Sequence, residues 1–535
     1  MGRHFLIAAV ALLTASLASF AGESDLTPQQ LAAKIDHHLA TRWALEDIQP
    51  APIASDSEFV RRVYLDLIGR IPRVAETREF LADPAPDKRA KLIERLLANA
   101  QFVTHWSNTW RDIILPAGGN QQAALFANNL RGWIEQQIRK DTPYDKMVRG
   151  LLAAPMNAGG APQARPLPQP LNAGPLAYFQ AQEFKPENLA ASTARVFLGV
   201  RLECAQCHDH PFAKWAQTDF WGLAAFYSGI QPNNFTRPAG RQQQPVVLKN
   251  PGREIKIPGK EKIVKAMFPT GEPPLWDDGI ESRQVLAEWV TSKSNPYFAR
   301  TAANRLWVHC FGMGLMDPCD DEPTDENPIR HPELLTELTQ QFIAHDFDVK
   351  YLVCSIMLSQ AYQRTSALSH PSQKETQAFA RMPVRGLTPE QLFDSLATAT
   401  GYNFQQGQPD PRIVIFNDQS VRGQLLNRFA AQERRTETQT SILQALALMN
   451  GKFVSDATSL RSSNTLAAIA DVPFMTLEQK IDALFLAALS RSPRAEERDR
   501  LVTYAQRGGG QSAPSAALAD IFWVLLNTSE FLLNH

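Results

Sequence analysis

Cysteine is scarce in this chain, with five in 535 residues. That excludes a disulfide scaffold, which needs dense cysteine in a short chain, and at this length the protein can bury a real core without one. An excess of one charge is also missing. Lysine and arginine number 54 against 55 aspartate and glutamate, and no basic block occurs, so nucleic acid is excluded as a partner on electrostatic grounds. Beyond the first residues no window is long and apolar enough to cross a bilayer, so the mature chain carries no membrane span. The sequence has no nucleophile elbow, Rossmann glycine pattern, phosphate loop or repeat of fixed period. With these signatures missing, whether the chain is an enzyme stays open.

The first residues, by contrast, have a clear pattern. Arg3 and His4 precede an apolar run over residues 5–17, and Ser19-Phe20-Ala21 supplies small residues ahead of Gly22. This reads as a signal peptide over residues 1–21 and places the mature chain in the periplasm or outside the cell.

Helical periodicity dominates the rest. Asp56 and Ser57 can cap a helix carrying Phe59, Val60, Val63, Leu67 and Ile68 on one stripe, with Gly69 as its stop. Further helices are predicted over residues 88–99, 103–114, 125–140, 186–200, 219–226, 284–290, 298–311, 331–345, 349–358, 389–400, 440–449, 477–490 and 516–526. Residues 155–175 are rich in proline and read as an extended loop. A small β-hairpin is expected where residues 246–248 and 255–257 flank the turn cluster Asn250-Pro251-Gly252-Arg253. The fold expected is mainly α, with an N-terminal helical domain over residues 22–235, a hairpin and linker over 236–280, and a C-terminal helical domain over 281–535.

Two of the five cysteines fall in Cys204-Ala205-Gln206-Cys207-His208, the Cys-x-x-Cys-His spacing that attaches haem in c-type cytochromes. Haem c needs two thiols to add to its vinyl groups and an imidazole beside them for iron. On a helix Cys204, Cys207 and His208 stand at i, i+3 and i+4, all on one face. His208 would be the proximal ligand. His105, His309, Met313 and Met316 are candidates for the opposite position, with none singled out. Three other readings stay open. Cys204, Cys207, His208, Asp209 and His210 offer ligands for a transition-metal ion, centred on His208, Asp209 and His210. Cys204 and Cys207 can form a redox-active or structural disulfide in an oxidising compartment. The cluster can also be purely structural and hold no cofactor.

Weaker signals read as structure. The acidic run Asp317, Asp320, Asp321, Glu322, Asp325, Glu326 fails the calcium-loop spacing and reads as a solvated turn, across which Cys310 and Cys319 could bridge. His309 beside Trp307 reads as a partnered core histidine.

Several blocks carry a family likeness. In the first half they are Leu65-Asp66-Leu67-Ile68-Gly69-Arg70-Ile71-Pro72, Lys185-Pro186-Glu187-Asn188-Leu189-Ala190 and the Cys204–Phe212 segment. In the second they are Asn295-Pro296-Tyr297-Phe298-Ala299-Arg300, Asn304-Arg305-Leu306-Trp307, His331-Pro332-Glu333-Leu334-Leu335, Met449-Asn450-Gly451 and Glu530-Phe531-Leu532. With these blocks the chain resembles the planctomycete-type secreted proteins of unknown function, which pair an N-terminal cytochrome-like domain with a C-terminal helical domain. The resemblance implies the company of sulfatase-like secreted proteins and a setting in polysaccharide use. Cys310 and Met313 depart from the family pattern, and residues 429–440 lack the cysteine-containing segment that many relatives carry.

The function expected is therefore a c-type haem or redox-active module in extracytoplasmic electron transfer or oxidation, serving a redox partner or a sulfatase-like protein. The alternatives are a secreted polysaccharide- or partner-binding scaffold with a Cys204–Cys207 disulfide, and a metal-dependent hydrolase at His208 and His210.

Overall fold

The structure is a computed structural model that describes residues 25–115, 121–156, 173–211, 213–230, 253–277, 279–323, 328–402, 422, 423, 426, 452–509 and 513–535. The predicted signal peptide, the helix expected over residues 440–449 and the first hairpin arm at residues 246–248 lie outside the described residues.

The fold is mainly α, as expected. Helices form where apolar residues recur at helical spacing and a capping residue stands in front. The helix Asp56–Ile68 shows the rule, with one change at its start: Ser55, rather than Asp56 or Ser57, is the cap, and its hydroxyl accepts from the Glu58 N–H. Gly69 ends it in the left-handed conformation at φ 75°. A Cβ there would stand 2.6 Å from His105 Nδ1, so glycine is required on both counts. Helices Phe298–Phe311, Val349–Leu358 and Pro389–Thr400 have the bounds that periodicity predicts.

Two apolar cores hold the chain together. The larger collects residues from Leu26 to Met382 and draws on both the 22–235 and 281–535 segments. The smaller collects residues from Leu387 to Phe531, together with Leu65 and Ile71. Helix Asp56–Ile68 lies between them. Phe59, Val60 and Val63 enter the first core, while Leu65 enters the second.

This helix is buried from Phe59 to Ile68, including Arg61, Arg62 and Asp66. Buried charge is costly unless it is paired and hydrogen-bonded. Asp66 receives Arg385 Nη1 at 3.1 Å and Nη2 at 2.8 Å, the Tyr362 hydroxyl at 2.8 Å and Asn534 Nδ2 at 2.8 Å. Arg61 donates to the carbonyls of Ala488 at 3.0 Å and Phe531 at 2.8 Å. Arg62 donates to the carbonyls of Tyr362 and Arg364 and to Glu58. Burial alone would lower the Arg385 guanidinium, but the facing Asp66 carboxylate outweighs it and holds that charge firmly. Partners from residues 362–385 and 488–534 thus complete a helix that begins at residue 56.

Among the described residues two small antiparallel strand pairs occur. The strands β1 (Glu254–Lys256) and β2 (Ile263–Lys265) pair through Glu254 with Lys265, Ile255 with Val264 and Lys256 with Ile263. The strand covers Glu254–Lys256 rather than residues 255–257, and it pairs with β2 across the turn Pro258-Gly259-Lys260-Glu261-Lys262; the expected pairing with residues 246–248 lies outside the described residues. The second is a long-range antiparallel pair rather than a true hairpin, and joins β3 (Arg385–Gly386) to β4 (Leu533–Asn534). It was not foreseen, because no local pattern links strands so far apart in sequence.

Candidate functional site at the cysteine–histidine turn

The helix that leads to the Cys-x-x-Cys-His motif does not carry it. The α-helix Pro186–Thr193 widens into a π turn over Ala194–Leu198 and stops at Gly199, at φ 65°. A Cβ on Gly199 would meet Thr301 Oγ1 at 2.6 Å, so a side chain here would collide with the second half of the chain. A separate 3-10 turn, Glu203–Gln206, follows and ends at Cys207. The expectation that Cys204, Cys207 and His208 share one α-helical face is therefore corrected. The glycine stop ends the helix before the motif, and His208 lies beyond the short turn.

Cys204 and Cys207 are exposed and their thiols are free. His208 and Asp209 are exposed, and His210 is half-buried. Ala205 between the two cysteines is buried and anchors the turn with Leu202, whose carbonyl accepts the Ala205 N–H at 2.9 Å.

Helix Gln217–Ala225 positions the turn from the other side. The side chain of Gln217 donates through Nε2 to the carbonyls of Gln206 at 3.0 Å and Cys207 at 2.8 Å. The Trp221 indole N–H shares the Gln206 carbonyl at 3.0 Å. The Gln217 N–H, at the start of the helix, donates to Asp209 Oδ1 at 2.8 Å, so this carboxylate sits where a helix favours negative charge. These four bonds fix the backbone and leave the two sulfurs outside.

The two imidazoles differ. His208 Nδ1 lies 2.7 Å from the Asp209 carbonyl. A carbonyl can only accept, so Nδ1 carries the proton and, in the neutral ring, Nε2 holds the free lone pair. This is the arrangement by which histidines present Nε2 to a metal. His210 Nδ1 instead accepts from the Ala213 N–H at 3.0 Å, which puts the neutral ring's proton on Nε2. Among the described residues no three His, Cys, Asp or Glu side chains converge as a ligand group. Trp215, whose carbonyl accepts the His210 N–H at 2.7 Å, is buried, and its indole N–H has no acceptor among the described residues.

The other sequence candidates fall elsewhere. His105, His309, Met313 and Met316 are all buried, in contrast to the exposed turn. His309 donates Nε2–H to the Asp66 carbonyl at 2.8 Å and packs on Trp106 and His105, a partnered core histidine as read. In the acidic run Asp317, Asp320, Asp321 and Glu322 are half-buried rather than solvated, while Asp325 and Glu326 lie outside the described residues. Asp320 accepts from Arg201 at 2.9 Å and faces Arg195 at 3.8 Å, which ties it to the residues leading into the cysteine turn. Cys310 and Cys319 do not form the bridge. Arg305 Nη1 lies 3.6 Å from the Cys319 sulfur, and burial pushes that thiol up.

Gln217 and Trp221 are the functional positions that sequence reasoning missed. Both lie one helical turn apart on the first turns of the Gln217–Ala225 helix, but nothing in their identity pointed to the carbonyls they hold.

Residues 34–232 match the family PSCyt2, a protein of unknown function (DUF1549), and residues 282–505 match PSD1, a protein of unknown function (DUF1553). No curated protein and no solved structure matches the chain. The cysteine–histidine turn lies inside the first match, and the β1–β2 hairpin lies between the two. The chain thus carries, in this order, one domain from each of two planctomycete-type families of unknown function.

Proposed function

We propose that the Cys204–Cys207–His208 turn carries a covalently attached c-type haem, and that the exported chain serves extracytoplasmic electron transfer or oxidation. One observation carries this reading. Two exposed free thiols precede an exposed imidazole whose Nδ1–H is spent on a backbone carbonyl, which leaves the Nε2 lone pair for a metal. Each thiol would add across one vinyl double bond, sulfur to one carbon and hydrogen to the other, so attachment needs no oxidant. Bound haem would supply one-electron chemistry at iron. The chain's own part is to present the sulfurs, hold His208 in one tautomer and fix the turn through Gln217 and Trp221.

A hydrolytic metal at His208 and His210 has less support, because the bond from Ala213 leaves His210 with no outward lone pair. The test is production in a host that matures c-type cytochromes, followed by an absorption spectrum and a haem stain after denaturing electrophoresis. A haem spectrum with a covalent stain, lost in Cys204→Ser and Cys207→Ser, is the expected result. A colourless, iron-free product overturns the proposal.

A further inference from the structure

The β1–β2 hairpin is not used by the function proposed above, and it lies outside both family matches. Its inner face is apolar: Ile255 and Val264 face each other across the strands, Val264 and Ile257 are buried, and the Met267 N–H that follows donates to the Gly222 carbonyl of the Gln217–Ala225 helix at 3.2 Å. The outer face differs. Within residues 253–265 stand Arg253, Lys256, Lys260, Lys262 and Lys265 against only Glu254 and Glu261, in a chain whose formal net charge is −1. Lys256, Lys260, Lys262 and Lys265 are exposed. Ile263, 60% exposed, sits among them on the outer face of β2. Lys256 pairs with Glu261 at 2.9 Å and Glu254 stands opposite Lys265, so the hairpin keeps an excess of three positive charges, five against two, carried outward by Lys260, Lys262 and Lys265 beside the exposed Ile263.

This surface is joined to the cysteine–histidine turn. Lys260 Nζ donates to Gln217 Oε1 at 2.6 Å, and the Nε2 of the same amide donates to the Cys207 carbonyl at 2.8 Å. The tip of the lysine hairpin is thus two hydrogen bonds from a cysteine of the motif. On the other side of the motif Lys214 lies over the Trp215 ring at 5.1 Å.

We infer that the Lys256–Lys265 hairpin is the docking surface for an acidic protein that exchanges electrons with the turn beside it. The inference rests on the redox reading above. Clustered cations beside an electron-exchange site raise the encounter rate of an anionic partner, and salt weakens the effect. The hairpin packs on the helix that holds the turn, so a partner on Lys262 and Lys265 is brought to the exposed sulfurs and imidazole.

The test compares the wild-type protein with Lys262→Glu plus Lys265→Glu, and with a control of equal charge change, Lys91→Glu plus Lys374→Glu, on other elements. The reduced protein gives one electron to hexacyanoferrate(III), which becomes hexacyanoferrate(II). At low salt the wild type and the control are expected to react at least about tenfold faster than the hairpin variant, with the gap closing as salt rises. The cationic oxidant tris(phenanthroline)cobalt(III) is expected to reverse the order. Equal rates and salt slopes for the hairpin variant and wild type overturn the inference.

Retention on immobilised polyglutamate needs no redox centre and separates the two readings. A colourless protein still held through the hairpin lysines sinks the haem proposal but upholds an acidic protein partner. Retention on dextran sulfate alone, with none on polyglutamate, overturns that partner in favour of an anionic polysaccharide.

Discussion

At the scale of single residues the strongest constraint is Asp66, buried with four donors around its carboxylate. Asp66→Ala leaves the Arg385 guanidinium buried without its counter-charge. It should cost about 3–5 kcal/mol, read as a lower urea midpoint. His208 and His210 should separate cleanly. His208→Met is expected to alter the absorption spectrum of the matured protein, while His210→Gln leaves it unchanged. Asp112 gives a pH test. Desolvation by its packed surroundings pushes its carboxyl up to about 6, with the nearby Glu390 adding to the shift, although 44% of the side chain is exposed and Arg111 pairs with it at 2.5 Å. The folded state then takes up this proton between about pH 6 and the unfolded carboxyl value near 4, so the residue opposes folding at neutral pH and the penalty fades as pH falls. Asp112→Asn should be more stable than wild type at pH 7, and the difference should vanish by about pH 4 in thermal melts. The motif residues themselves were legible in the sequence because so few cysteines are present. Gln217 was not, because an amide that binds backbone carbonyls leaves no compositional trace.

At the scale of elements, Gly199 ends the helix that would otherwise run through the cysteines. Gly199→Ala meets both a left-handed φ and a collision with Thr301. A loss of more than about 1 kcal/mol in denaturant unfolding is expected. Helix Val349–Leu358 offers a milder case: Asp348→Ala removes the carboxylate that accepts the Lys350 N–H at 2.8 Å and Tyr351 N–H at 3.1 Å. It should cost about 1 kcal/mol by the same measurement. Most helices could be read from periodicity, caps and stops, since these are local signals. The early stop at Gly199 was misread because the apolar stripe of Leu189, Val196, Phe197 and Val200 continues past it, and only the approach of Thr301 explains the glycine. The strand Ile263–Lys265 went unread because the turn residues Asn250 to Gly252 outweighed the equally good Pro258-Gly259.

At the scale of the whole molecule, the larger core mixes residues from both family segments, and Asp66, Arg61 and Arg62 find partners in the second at Arg385, Ala488 and Tyr362. The intact protein should therefore unfold in one urea transition reported alike by far-ultraviolet dichroism and tryptophan fluorescence. Residues 22–235 produced alone should lack that transition and aggregate, since three buried charged groups would lose their acceptors or counter-ion. The sequence shows two helical segments, and the two family matches fall at residues 34–232 and 282–505. The coupling between them rests on contacts hundreds of residues apart, for which periodicity carries no signal.

The pairing of Arg385 with Asn534 across β3 and β4, and of Asn534 with Asp66, also has a temporal side. Asn534 follows Asp66 by 468 residues, so Asp66 gains this donor only after nearly all of the intervening chain has been made. A chain cut before residue 534 keeps three of the four bonds to that carboxylate and loses the β4 partner of β3.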